Sequence, residues 1–324
     1  MGRRVTLRTA VVALCLGFPM WVVAPVQALD TAAVVTKTKK ACTERATSVG
    51  RAAGTNELMP GGTQLRSAFS FDGQSWIRFP TPVLDQAATA SLIMSPDGRP
   101  MLFSTAHQVN GKQDGFAVSV GHPTGQSWRH CRVTLKGFPA GMLGVDPDVV
   151  ALPGGGYRVY LTGSAAPGSS RTAIFYADSK DGLTWTYQGV AFERPNSILD
   201  SMTFLVGDTW HMYTLSDQPA VMVHGTSKDG RTFTYVDTVP ISVDGQPIVL
   251  SQAANVDGQL RVFGFLPKGM GIRSFATPVA SAMPANSTLS LDLDPNLELT
   301  FIKDPAVVQL KDGNYLMVYS TALP

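Results

Sequence analysis

Three aspartates recur at one place in a repeated phrase. Asp146 opens DPDVVALPGGGYRVYLTG and Asp304 opens DPAVVQLKDGNYLMVYST, each an Asp-Pro pair followed by one residue and two valines. Asp200 stands at the matching place before Ser201-Met202-Thr203-Phe204. From these carboxylates to the following aromatic the intervals are 11, 11 and 10 residues, the last because its turn is one residue shorter. Carboxylates gathered in one site have their pKa values driven apart, so that one stays protonated while another is ionised, the two states that acid–base chemistry needs. The plainer role for such an Asp is to bond the turn backbone and fix strand register. Asp148 is an equal candidate to face the site, since alternate strand residues point oppositely. Of the glutamates Glu44, Glu57, Glu193 and Glu298, only Glu193, seven residues before Asp200, is near such a strand. His107, directly after an aromatic strand, and His211, between Trp210 and Met212, are candidates to contact a bound ligand. His122, His130 and His224 read as structural, and the five histidines lack zinc-ligand spacing.

The elements that must position these side chains are hairpins. SLIMSPDGRPMLFST, DVVALPGGGYRVYLT, MTFLVGDTWHMYTL, VLSQAANVDGQLRVFGF and AVVQLKDGNYLMVYS each lead from an apolar run through a Gly or Asp turn to an aromatic strand. Their turns, at Gly98, Gly156, Asp208, Gly258 and Gly313, are 58, 52, 50 and 55 residues apart. Between them a second phrase places Ser, Asp, Gly and an aromatic at fixed offsets: Ser70, Asp72, Gly73, Trp76; Ser179, Asp181, Gly182, Trp185; Ser227, Asp229, Gly230, Phe233. A worn copy ends at Trp128, and a lengthened one is expected to end at Phe301. In each, the Ser and Asp side chains bond the turn backbone, Gly takes a conformation other residues avoid, and the aromatic fills the gap between neighbouring sheets. Four strands in a period near fifty residues predict an all-β, five-bladed β-propeller over residues 63–324. The phrase is split between the two ends of the chain, so the last blade is expected to close by pairing N-terminal outer strands with C-terminal inner strands. Asp146, Asp200 and Asp304 would then converge on one funnel. Residues 29–62 read as a linker or a short N-terminal helix.

Composition bounds the partners. Residues 1–28 have the form of a secretory signal, with Arg3, Arg4 and Arg8 before an apolar run and small residues at Val26-Gln27-Ala28. Without it the chain carries 23 basic against 24 acidic side chains, counted from totals of 26 and 24. No basic stripe interleaved with aromatics suits nucleic acid. A secreted or periplasmic monomer is expected, with no membrane association once the signal is removed. Cys42 and Cys131 are a candidate disulfide in such a compartment, or two free thiols. No cofactor is expected; a cation held on the axis by funnel oxygens stays open, without an Asp-rich calcium loop.

The Asp-Pro strand starts of DPDVVALPGGGYRVY and DPAVVQLKDGNYLMVY, with Ser-x-Asp-Gly-x-x-Trp turns such as SKDGLTW, resemble the five-bladed propeller glycosidases. These are the arabinanase, xylosidase and invertase-like superfamily of the glycosyl hydrolase family 43 type. The resemblance covers nearly all of the mature chain and lies mainly in repeat architecture. It implies a hydrolase of an oligo- or polysaccharide, with a base or nucleophile, an acid and an orienting group drawn from different blades. Carried onto this chain, it makes Asp304 the base and Asp146 the orienting group. The family's acid is usually a Glu at a strand start, and this chain departs from that pattern: Glu193 reaches the mouth from a loop, or Asp200 takes the role, or there is no acid. In the last case the propeller would bind a glycan or a protein at the same face without cleaving it.

Overall fold

The computed structural model describes Cys42, Glu44–Arg45 and residues 62–323 except 107–115, 132, 140–143, 167–168, 218–219, 240–241, 244–245, 267–270, 277–286 and 299. Residues 1–28, read above as a secretory signal, most of the 29–62 segment and His107 lie outside the described residues. No α-helix occurs among the described residues, and the strands form five antiparallel meanders, the blades of a β-propeller.

Written from the axis outwards, the first blade is Ala87–Met94, Pro100–Ala106, Phe116–Gly121 and Trp128–Cys131, and the second is Val145–Ala151, Tyr157–Ser164, Thr172–Ser179 and Thr184–Phe192. The third is Ile198–Val206, Thr209–Asp217, Ala220–Ser227 and Thr234–Val239, and the fourth is Val249–Val256, Gln259–Phe265, Gly271–Ala276 and Thr288–Asp292. The fifth takes Ile302–Gln309 and Tyr315–Ala322 from one end of the chain and Thr63–Ser70 and Ile77–Arg78 from the other. Thr63 pairs with Ala322 and Ser70 with Tyr315, over eight consecutive residues. Glu44–Arg45 adds a strand outside the first blade, where Cys42 is bonded to Cys131.

The Ser-Asp-Gly turns explain how neighbouring blades find each other. In the second blade Ser179 Oγ accepts the Gly182 N–H at 2.9 Å, and Asp181 Oδ1 accepts those of Leu183 and Thr184 at 2.9 and 2.8 Å. The same bonds recur at Ser70 and Asp72, and at Ser227 and Asp229. Gly182 sits at φ +74 against the preceding blade, where a Cβ would lie 2.6 Å from Met101 Cε. Trp185 then stacks edge-on between Phe103 and Phe116 of that blade, both at 5.8 Å. Phe233 meets Tyr160, and Trp76 meets Phe263, in the same sense. Phe301 departs from the expected outer-turn position: it directly precedes the innermost strand of the fifth blade. Each of the five apolar clusters of the core lies between two adjacent blades, including one that joins Leu316 and Val318 of the fifth to Leu92 and Leu102 of the first.

Candidate active site in the propeller axis

Each innermost strand has a bulge near its start. Regular pairing breaks between Ala88 and Ala90, Val145 and Asp148, Leu199 and Met202, Leu250 and Gln252, and Lys303 and Ala306. The residues inside the breaks include Thr89, Asp146, Asp200, Ser251 and Asp304, one from each blade. Thr89, Asp146, Asp200 and Asp304 have φ values of 55, 53, 52 and 51°. This is the left-handed region, which Asp tolerates better than most residues because its short side chain bonds locally. A bulge re-aims a side chain out of strand alternation, and all five residues line one axial cavity of about 20 Å³.

Neighbouring blades hold these bulges. Thr105 Oγ1 accepts the Asp146 N–H at 2.8 Å, Thr162 Oγ1 accepts that of Asp200 at 3.1 Å, and Ser320 Oγ accepts that of Thr89 at 2.9 Å. Farther along the same strands Gln252 spans three blades, its Nε2 donating to the Leu92 and Val307 carbonyls at 2.9 and 3.3 Å. Its Oε1 accepts the Leu92 N–H at 3.2 Å.

The carboxyls differ electrostatically. Thr89 Oγ1 donates to Asp146 Oδ1 at 3.0 Å. Burial raises the pKa of Asp146, while burial and then the charges of Asp146 and Asp304 hold Asp200 well above the usual carboxylate range. Of the two, Asp200 is raised further, whereas the contact with Asp200 and the Thr89 hydroxyl both favour the ionised form of Asp146. On the other side of Ser251, Asp304 Oδ2 lies 3.2 Å from Lys303 Nζ. The contact is an ion pair without aligned hydrogen-bond geometry. Asp304 raises the pKa of Lys303, against the opposing effect of burial.

The remaining candidates lie elsewhere. Asp148 is buried between the second and third blades, facing Ser201 and Thr203, and burial pushes it up to about 8. It does not line the cavity, although Ser201 does. Glu193 follows the outermost strand of the second blade and is exposed, 3.2 Å from Arg171. The register from Val145 through Thr162 and Ile174 to Phe192 puts it on the same face as Asp146 but three strands out, about 14 Å at the usual strand spacing. His211 lies nearer the opposite face, paired with Phe204 and stacked on it at 5.7 Å. Its Nδ1 is 3.1 Å from His224 Nε2, and His224 Nδ1 is 3.1 Å from Asp237 Oδ1.

Thr89, Ser251, Lys303 and Gln252 were not singled out by the sequence. Measured back from the hairpin turns, the five axial residues stand 9, 10, 8, 7 and 9 positions away. That drift hid Thr89 and Ser251, which carry no Asp-Pro mark.

No family model and no curated protein matches the chain in sequence. Solved structures share its fold. A protein of unknown function from Dyadobacter fermentans superposes with a TM-score of 0.55 at 16% identity, over 84% of this chain and 87% of that one. An N-acetylgalactosamine deacetylase from F. plautii, solved with blood group B trisaccharide, gives 0.54 at 12% identity over 75% and 80%. An alpha-L-arabinofuranosidase from Lactobacillus brevis gives 0.49 at 12% identity over 70% and 80%.

Proposed function

We propose that the protein is a secreted glycoside hydrolase whose reacting groups are the axial carboxyls. The observation that carries this reading is one cavity lined by three carboxyls from three blades, in which burial raises the pKa of Asp200 while Asp304 lies 3.2 Å from the Lys303 ammonium. Hydrolysis needs one carboxyl to protonate the leaving oxygen and another to act as base or nucleophile, separated by about 5 Å for retention or about 6.5–9.5 Å for inversion. Asp146 and Asp200 share a hydrogen bond and are too close to flank a glycosidic bond. The opposed pair is therefore Asp304 as base or nucleophile and Asp200 as acid, with Asp146 orienting Asp200. A cavity of this size holds about one water, so the sugar would sit at its mouth. Export is supported by the leader composition and by the Cys42–Cys131 disulfide.

A second reading, a propeller that binds a glycan or a protein at this face without cleaving it, is favoured by the rim position of Glu193. The test is a screen of the purified mature protein against plant, bacterial and fungal polysaccharides, reading product release and binding together. Release that disappears in D304N is expected. Binding without release from any of them would decide for the second reading.

A further inference from the structure

The residue immediately before each axial side chain is apolar in four blades and charged in one. Ala88, Val145, Leu199 and Leu250 precede Thr89, Asp146, Asp200 and Ser251, whereas Lys303 precedes Asp304. Nothing in the repeat asks for this lysine, and a half-buried ammonium is costly unless it is paired. Adjacent strand residues normally face opposite sides. The left-handed φ of 51° at Asp304 breaks that alternation, and the two charged groups meet at 3.2 Å with 22% and 12% of their side chains exposed. The groups facing the ammonium are Asp304 from its own strand, Asp146 and Asp200 from the second and third blades, and, at 5.9 Å, the Phe301 ring.

Three carboxyls around one cavity compete for protons, and proximity alone does not say which of them stays ionised. We infer that Lys303 is a positioning residue that makes Asp304 the anionic member of the ring and leaves the proton on the Asp146–Asp200 pair. It acts through Asp304 and without touching substrate, setting which carboxyl can serve as base. The role rests on the hydrolase reading, but the charge partition it describes does not need turnover to be observed.

The test uses the full mature chain and the variants K303M and K303R. Carbon-13 NMR of the aspartate carboxyls, assigned with D146N, D200N and D304N, follows proton uptake by the ring in the absence of any glycan. In K303M the second proton, the one that neutralises Asp304, should enter the ring at a pH about 1–3 units higher, the usual effect of losing an opposite charge at this range, and K303R should restore the parental titration. On a glycan released by the parent, the acid limb of kcat/KM should rise by the same interval in K303M, with KM little changed. Identical ring titrations in the parent and K303M would overturn the inference, as would an equal shift in K303R. Should K303M fail to fold, K303Q carries the same comparison. A parent that cleaves no glycan refutes the hydrolase reading alone, since the titration still decides the role of Lys303.

Discussion

Left-handed backbone is what lets an aspartate leave the sheet and face the axis, and it separates the two roles that the sequence left open. Asp146, Asp200 and Asp304 fix bulges, and in doing so they deliver carboxyls to one cavity. Asparagine tolerates the same φ, so D200N should fold with little change in Tm, while D304N, which leaves the Lys303 ammonium without its partner, should fold with a lowered Tm; in both, turnover on a released glycan should fall about 10²–10⁴-fold, the range of acid–base assistance. D200N should lose much less on an aryl glycoside whose nitrophenolate needs no protonation; an equal loss on both substrates would remove Asp200 from the acid role. Thr89 sets a different test, because a β-branched residue at φ 55° carries strain of about 1–2 kcal/mol. T89N should raise stability by about 1 kcal/mol, or about 2–4 °C in Tm for a domain of this size. A lower Tm would mean that the Thr89 hydroxyl bond to Asp146 outweighs the backbone relief. The choice between Asp146 and Asp148 was not legible, because alternation fails at a bulge that only pairing reveals.

Whole strands carry the next level. The Ser-Asp-Gly-aromatic turns could be read directly because their bonds span two or three residues, as at Ser179, Asp181 and Leu183. The third blade could not be read in this way: His211, His224 and Asp237 come from three successive strands and meet only through register. Glu298 is a similar case, fully buried against Arg78 and Tyr319 of the fifth blade, 220 and 21 residues away in sequence. The histidine stack predicts a pH dependence. Burial lowers the His211 pKa from 6.5 to about 4, so between these values the unfolded chain binds more protons than the folded one. The stabilisation is complete above about pH 6.5 and is lost as pH falls towards 4, by up to about 3 kcal/mol. Thermal unfolding from pH 7 to 4.5 should show this fall, and H211F, which keeps an aromatic ring between Phe204 and His224, should flatten most of it. An equally steep profile in H211F would place the acid sensitivity in another group.

At the scale of the molecule, repetition made the blade count legible, because five turns at intervals near fifty residues have few other architectures. The same repetition makes each blade depend on two neighbours, and the fifth has an added demand. Its second strand, Tyr315–Ala322, is buried throughout and lies between Ile302–Gln309 and Thr63–Ser70, so it pairs both ends of the propeller sequence. Leu316 and Val318 fill the contact with the first blade, while Tyr315, Met317 and Tyr319 fill the contact with the fourth. Removing residues 305–324 would therefore strip one blade of its centre and uncover an apolar face on each neighbour. It would also leave Thr63–Ser70 as an unpaired edge, which invites association between chains. If the ring is sealed through this blade, the truncated chain should lose its cooperative thermal transition and aggregate, with the disulfide intact. A truncated chain that stays monomeric and melts in one transition near the parental Tm would show that four blades hold together without the fifth.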